Sequence, residues 1–395
     1  MTGSVLFHVQ YLLGIGHLQR TLRIADTLAD AGVHVTVVSG GMPVALPAHP
    51  LIRLVQLSPV RARDASFELI DAAGAPIDDA LRRRRCAEVL AAFAAARPDV
   101  VVIEGFPFAR RAFRFELDPL IAAVRRAHTS LICSVRDIVV MRDDPERRRE
   151  AIERVRGDFD AVLVHGDPAL VPFEASFPAA PEIADRLVYT GYVAPSPSSP
   201  RADGGRGDHV IVSAGGGAAG HALMQAAVAA RRAGCLADSP WLLLAGSNLP
   251  DAEFDALRRD APAGVAIARF APDLALLLQS CRVSVSQAGY NTVLDILAAR
   301  ARAVLVPFAA ERETEQLLRA ERLAALGAVE IVREDALSPT VLAAAIERAA
   351  AREPVPVAID TGGAACSARI IAELIGKRAP PRPFAPATGA GMMAQ

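Results

Sequence analysis

The chain has 395 residues, 52% of them hydrophobic, with 43 Lys and Arg against 44 Asp and Glu for a formal net charge of -1. That length implies two or more domains with room for sizeable cores, and the charge balance supplies no global field to gather nucleic acid or anionic lipid. Lys377 is the single lysine, which excludes a P-loop, a protein-kinase strand lysine and a buried Schiff-base lysine; phosphate handling falls to Arg, backbone N–H groups and helix N-termini.

The chain opens into Val5-Leu6-Phe7-His8-Val9 without a basic leader or a small-residue cleavage site, and no uninterrupted apolar run reaches about 18 residues. A soluble, unexported protein is expected, with association to a membrane surface left open. Cys86, Cys133, Cys235, Cys281 and Cys366 form no C-x-x-C pair and read as small buried hydrophobes in a reducing compartment.

Strands are expected at 5–9, 34–38, 53–57, 100–103, 131–135 and 161–164, separated by segments of helical period such as 18–31 and 119–127. Runs that are apolar throughout suit a parallel sheet covered on both faces, so residues 1–193 read as a doubly wound α/β domain. Residues 194–208, rich in Pro, Ser and Gly, read as a linker. The pattern restarts with a strand at 209–213, a helix at 219–232 and strands at 241–245, 265–269, 283–286 and 302–306, giving a second α/β domain over 209–376. The Pro/Ala/Gly-rich stretch 377–395 reads as a disordered tail. Two such domains make a cleft, and ligands of open α/β sheets bind at the carboxyl ends of strands facing it.

The first strand runs into Gly14-Ile15-Gly16-His17. Two glycines allow close backbone approach at a helix N-terminus, but a dinucleotide fingerprint needs a small residue where Gln19 stands. It also needs an acid where Ser39-Gly40-Gly41 ends the second strand. A nicotinamide cofactor is therefore disfavoured. His17 reaches the cleft as a neutral imidazole able to take a hydroxyl proton or bond a diphosphate oxygen, or else it only caps its helix. Glu104 and Asp137 leave strand ends facing the same cleft. They are candidates for acceptor binding or general base, with a brace by Arg110, Arg111, Arg114 or Arg136 inside the domain as the weightier reading.

In the second half, Gly215-Gly216-Gly217-Ala218-Ala219-Gly220 matches G-x-G-x-x-G between a strand and a helix, offering amides and a helix dipole to an anion. The next strand ends Ala245-Gly246-Ser247-Asn248, without a ribose acid, so a nucleoside diphosphate fits better than a dinucleotide. Phe270-Ala271-Pro272-Asp273 follows, then Ser286-Gln287-Ala288-Gly289-Tyr290-Asn291-Thr292-Val293-Leu294-Asp295. Gly289 makes the strand-to-helix turn, Asn291 or Thr292 opens the helix, and Asp295 falls about one turn in, where a carboxylate could accept ribose hydroxyls. Glu315 and Gln316 begin a further helix and could read sugar hydroxyls; taken alone, Glu315 reads as part of a solvated acidic face.

Together these segments resemble the two-domain GT-B glycosyltransferases of the MurG type, over nearly the whole chain and most specifically in its second half. The resemblance implies two Rossmann-like domains facing across a cleft. It also implies transfer of a hexose-type sugar from a nucleotide-diphospho sugar, UDP-linked in the first instance, to a hydroxyl acceptor with inversion and without a required metal or other cofactor. By that likeness Gly215–Gly217 hold the diphosphate, and the backbone of Ala271, after Phe270, reads the base edge. Gln287, Gly289, Asn291 and Thr292 belong to the same nucleotide-binding segment. Asp295 stands where the family has its ribose-binding Glu, and Glu315-Gln316 falls on its Gln-Gln pair for the donor hexose. Gly14-Ile15-Gly16-His17 matches the family's N-terminal glycine-rich loop with one glycine fewer.

The first domain also resembles a predicted-glycosyltransferase branch through Glu104-Gly105-Phe106-Pro107-Phe108-Ala109-Arg110-Arg111 and Ser134-Val135-Arg136-Asp137-Ile138. His17 is the first choice of base, with Glu104 and Asp137 next. A membrane-surface lipid or a carbohydrate is the expected acceptor, nucleic acid is not, and the location implied is cytoplasmic, with the inner membrane surface open. A UDP-sugar hydrolase or 2-epimerase of the same fold, and a non-catalytic nucleotide-sugar-binding protein, are the alternatives. Asp158-Phe159-Asp160 has the D-x-D form of metal-dependent enzymes of another fold, but it precedes a strand's amino end and reads as a turn. The basic run 82–85 reads as a solvated helix face that could meet an acidic acceptor or a lipid headgroup.

Overall fold

The structure, a computed structural model, describes residues 3–12, 14–46, 48–63, 67–140, 144–194, 207–214, 220–246, 249–272, 274–308, 314–375 and 377. Most of the expected linker and tail lie outside them. Valine- and isoleucine-rich runs such as Val100–Glu104, buried at every position, can only be covered by helices on both faces, and the chain supplies them in alternation.

The first unit runs β1 (Ser4–Val9), α1 (Gly16–Asp30), β2 (His34–Ser39), β3 (Ile52–Gln56), β4 (Val60–Ala62), β5 (Leu69–Asp71), α2 (Asp79–Ala96), β6 (Val100–Glu104), α3 (Arg114–Arg126), β7 (Ser130–Arg136), α4 (Pro145–Asp158), β8 (Ala161–His165) and β9 (Leu187–Tyr189). Seven strands form a parallel sheet in the order β3-β2-β1-β6-β7-β8-β9, and β4 with β5 makes a separate hairpin. Val5 pairs with Val35 on one side and Val100 on the other, which sets β1 and β6 at the point where the order reverses.

The second unit runs β10 (Val210–Ser213), α5 (His221–Arg232), β11 (Trp241–Leu244), α6 (Asp251–Asp260), β12 (Val265–Ala268), α7 (Leu274–Ser280), β13 (Val283–Ser286), α8 (Tyr290–Ala299), β14 (Ala303–Leu305), α9 (Glu315–Ala325), β15 (Glu330–Ile331) and α10 (Pro339–Ala351). Its parallel sheet has the order β12-β11-β10-β13-β14-β15, so β10 and β13 flank its reversal. Ile138, Leu170, Val171 and Tyr192 of the first unit share one apolar cluster with Tyr290, Leu294 and Leu323 of the second. Among the described residues no helix is long and apolar enough to cross a membrane.

Three expectations are corrected here. The last helix, α11 (Gly363–Leu374), leaves the second unit: Ala368 and Ile371 pack with Val5, Phe7, Leu18 and Ile24 of the first. Gly363 N donates to Tyr192 O at 3.1 Å, so the boundary at 376 does not hold. α3 begins at Arg114 and carries Pro119 inside it. The one backbone bond this removes is offset by burial of Leu117, Leu120, Ile121 and Val124.

The third concerns the basic run. Arg85 is fully buried, bonding Glu116 through Nε at 2.7 Å and Nη2 at 2.8 Å, Gly40 O at 3.0 Å and Gln10 Oε1 at 2.8 Å. Only Arg83 and Arg84 of the run are exposed.

Candidate active site

β1 and β6 diverge into their following turns at the sheet's reversal, the crevice where open α/β folds take ligands. α1 starts at Gly16, which puts His17 in its first turn, and Glu104 is the last residue of β6. His17 Nδ1 lies 2.7 Å from Glu104 Oε1. Arg20, one turn along the same helix face, donates to that oxygen too.

Burial pushes the Glu104 carboxyl up, but His17, Arg20 and Arg110 outweigh it and hold the group well below the usual carboxylate range. An ionised carboxylate has no hydrogen to give, so the 2.7 Å contact requires the hydrogen on Nδ1 and leaves the lone pair on Nε2. Burial lowers His17 to about 4, against the pull of Glu104 and with the fields of Arg110 and Arg136 adding to it. The side chain is 21% exposed, and Nδ1 donates to Glu104, so it cannot also accept from Arg20 Nη2 3.3 Å away. A neutral imidazole with a fixed tautomer, whose Nε2 has no recorded hydrogen bond among the described residues, can accept a proton.

The other two carboxylates expected in this role are committed elsewhere. Asp137 is completely buried and accepts from Arg319 Nη2 at 2.8 Å, Arg319 Nε at 3.2 Å and Tyr192 OH at 3.0 Å. Glu315, 3% exposed, accepts from Arg319 at 2.9 Å and from Arg136 at 2.8 Å and 2.6 Å. Asp137 therefore cannot serve as the base, and Glu315 is neither a solvated face nor free to read a sugar. For Asp137 the brace lies between the two units, whereas for Glu104 it lies inside the first, through Arg20. Arg111 pairs with Glu150, and Arg114 pairs with Asp118 at 3.2 Å and Glu150 at 2.8 Å. Asp158 is held by Arg125 at 2.7 Å, and Asp160 accepts from Leu131 N at 2.8 Å, both at the amino end of β8 and away from the crevice.

Sequence reasoning missed Arg20, Tyr290 and Arg319. Tyr290 OH donates to His165 O at 2.9 Å and accepts from Val193 N at 3.1 Å. Its ring lies 5.4 Å from Arg20 and 5.6 Å from Arg319, one guanidinium from each unit. Spacing held the signal for the two arginines: Arg20 is three residues past His17, and Arg319 four past Glu315, each on one helix face.

On the second unit, Gly215, Gly216 and Gly217 lie outside the described residues. Gly220 is described, and a Cβ there would overlap the Cβ of Ala214, so the close approach of α5 to the end of β10 requires glycine. Phe270, just past β12, is 74% exposed, with Ala271 half-buried beside it. α8 starts at Tyr290, one residue before the expected position, and Gly289 gives its N-terminus no side-chain cap, which leaves amides for a ligand. Gln287 and Thr292 are half-buried around that turn.

Asn291 turns to the first unit, accepting from Arg23 at 3.4 Å and donating to Gln19 at 3.5 Å. A Cβ on Gly16 would come within 2.9 Å of Asn291 Nδ2, whereas Gly14 is exposed with open space around it. The His17 loop and the start of α8 thus meet. Asp295, half-buried on α8, is pushed up to about 6 by burial, with Arg23 opposing. Gln316 Oε1 accepts from Ala288 N at 3.0 Å and Phe308 N at 3.1 Å. That carbonyl ties together the turns after β13 and β14, and among the described residues the amide N–H groups carry no recorded hydrogen bond.

Residues 210–364 match the Glycosyltransferase family 28 C-terminal domain. Solved structures of the same architecture include CalG4, the calicheamicin glycosyltransferase, at 18% identity over 96% of each chain with a TM-score of 0.58. MurG of Acinetobacter baumannii follows at 16% identity over 94% of this chain and 99% of that one, TM-score 0.54. An Os79 variant from O. sativa in complex with UDP is similar at 17% identity over 95% of each, TM-score 0.60. No curated protein matches the chain. The chain has the GT-B fold of these glycosyltransferases, two Rossmann-like sheets facing across a crevice, and its residues 210–364 match the family 28 C-terminal domain.

Proposed function

We propose that the protein moves a hexose-type sugar from a UDP-linked donor to an acceptor hydroxyl in one inverting displacement, with His17 as the base. The observation that carries this reading is the 2.7 Å contact between His17 Nδ1 and Glu104, which fixes the tautomer of the neutral imidazole and, among the described residues, leaves Nε2 without a recorded hydrogen bond. The acceptor oxygen attacks the anomeric carbon as Nε2 takes its proton. The bond from that carbon to the diphosphate breaks, and its electron pair leaves on the terminal phosphate oxygen. Glu104 holds the tautomer and stabilises the imidazolium that forms.

On the donor side, the uncapped start of α8 and the loop Gly215–Gly217 offer amides to the diphosphate. Ala271 and Phe270 take the base, Asp295 the ribose, and the Gln316 amide the sugar. Supporting this is the family match over 210–364, together with the complex of UDP with the similarly folded Os79 variant. With helix-end amides and guanidinium groups serving the departing charge, EDTA is expected to leave the rate unchanged. Five cysteines outside any disulfide fit a cytoplasmic setting, with a carbohydrate or a lipid at the membrane surface as acceptor.

Calorimetry with UDP and a UDP-release assay run with and without hydroxyl acceptors test the proposal. Binding of UDP, with release only when acceptor is present, is expected. Equal release without acceptor identifies a hydrolase or epimerase instead, and absence of binding by any nucleoside diphosphate ends the proposal.

A further inference from the structure

Arg110 stands at the end of the turn that leaves β6 directly after Glu104. The turn is closed by Ala109 N donating to Gly105 O at 2.7 Å. A Cβ on Gly105 would lie 3.3 Å from Arg110 Cγ, so the arginine stem folds back over the strand end. Arg110 holds a left-handed backbone, φ 62°, a conformation that costs a non-glycine residue free energy. Among the described residues its guanidinium makes no hydrogen bond or ion pair, and its Nε is buried without a partner.

The surroundings neutralise it only in part: among the described residues, Glu104 attracts Arg110 without bonding it, and Glu104 Oε2 is itself buried without a partner. Arg20, Arg110, Arg136 and Arg319 face Glu104, Asp137 and Glu315, and each of those carboxylates is already bonded to one of the other arginines. His17 is neutral, so among these described groups one positive charge beside the proton acceptor is left without a bonded carboxylate. A half-buried guanidinium that bonds no counter-charge among the described residues is a candidate for an anion, because buried charges are otherwise paired.

We infer that Arg110 binds a pair of anionic oxygens of the substrates next to His17, a phosphate or a carboxylate gripped by the guanidinium fork. The inference rests on the reading of His17 and Glu104 as the reacting centre. Two sources carry that chemistry: the terminal phosphate of the donor, and an acidic group on the acceptor near the hydroxyl that reacts.

Two variants test it. Arg110→Asn removes the charge while tolerating the left-handed backbone, and Arg110→Lys keeps the charge but loses the fork. Melting temperatures verify that each folds, and Arg110→Lys carries the comparison if Arg110→Asn does not. Calorimetry uses UDP, uridine and inorganic pyrophosphate; rates use hydroxyl acceptors in matched pairs, with and without a carboxylate or phosphate.

If the anion is the donor's, Arg110→Asn weakens UDP and pyrophosphate about tenfold or more and leaves uridine unchanged, the loss expected for a charged hydrogen-bonded pair. If it is the acceptor's, UDP binding is unchanged and the preference in kcat/KM for the acidic member of each pair falls from about tenfold towards one. A folded Arg110→Asn protein in which UDP, pyrophosphate and the acidic preference all stay at the wild-type level overturns the inference. Failure of the wild type to bind any nucleoside diphosphate sinks the proposed function separately, and pyrophosphate binding by the two forms still decides Arg110.

Discussion

Arg319 on α9 donates to both carboxylate oxygens of Asp137 at the end of β7, at 2.8 Å and 3.2 Å, with the arginine 1% and the aspartate 0% exposed. The same guanidinium bonds Glu315, which Arg136 of the first unit also grips. The two units are therefore joined by charges removed from water.

Removing one member of such a network leaves its partners buried and uncompensated, which costs about 3–5 kcal/mol. Arg319→Met is expected to lower unfolding stability by that amount in urea titrations. Adding Asp137→Asn should cost less than the sum of the two single losses, because the orphaned carboxylate is then neutral. Strict additivity of the two changes would show that the contact carries no coupling.

The His17–Glu104 pair makes a second prediction. His17→Ala should lower kcat by about 10²- to 10⁴-fold, the usual worth of a positioned base. Glu104→Gln should approach that loss with little change in KM, since a neutral amide neither stabilises the imidazolium nor holds one tautomer. The working form is neutral and His17 is lowered to about 4. The rate should therefore be flat through neutral pH and fall only as the pH drops towards about 4. For stability the same depressed value acts in one direction. The contribution is complete above the ordinary 6.5 and is lost as pH falls from there through about 4. An acid limb centred near 6.5 would contradict the assignment of His17.

The parallel sheets were legible because burial on both faces writes itself into short runs: Val100–Glu104 is apolar up to its last residue, and that last residue, Glu104, is the one that contacts His17. Apart from α3, the expected strands and helices agree with the observed ones to within two residues at each end. β9, β15 and the β4–β5 hairpin are two or three residues per strand, too short for a period to register. The destination of α11 was hidden for a different reason. Its amphipathic face specifies that it packs, not on which sheet. The site was half legible: local motifs located His17 and Glu104, but Arg319 and Asp137 are 182 positions apart, and no local pattern tells a braced carboxylate from a free one.

Asp295 supplies a prediction of opposite sign to that for His17. Burial raises it from 3.8 to about 6, with Arg23 opposing, so the folded protein holds this proton more tightly than the unfolded chain does. Its contribution is complete below 3.8 and is lost as pH rises through about 6. Asp295→Asn should therefore gain stability over the wild type as pH rises through that window, with the difference constant above it. If the ionised carboxylate accepts the ribose hydroxyls, the same variant should bind UDP about tenfold or more weakly at pH 7.5. Wild-type affinity for UDP should also decline below about pH 6. Calorimetry across pH on both proteins checks the two effects together, and unchanged UDP affinity in Asp295→Asn removes the residue from the donor site.

Gly220 closes the glycine motif between β10 and α5, and its backbone, at φ −88°, suits any residue. The constraint is steric. A Cβ there would overlap the Cβ of Ala214, and since both atoms are fixed to backbone, no change of rotamer relieves the contact. Gly220→Ala must push α5 away from the strand end, an overpacking that costs about 1–3 kcal/mol. Ala214→Gly removes the opposing atom at the smaller cost, about 0.5–1 kcal/mol, of backbone freedom. The double variant Ala214→Gly/Gly220→Ala should therefore be more stable than Gly220→Ala alone, a coupling that additive behaviour would disprove. If the start of α5 also serves the diphosphate, UDP affinity should fall in Gly220→Ala and return in the double variant. Melting curves and UDP calorimetry on the four proteins separate the packing role of this glycine from any role in binding.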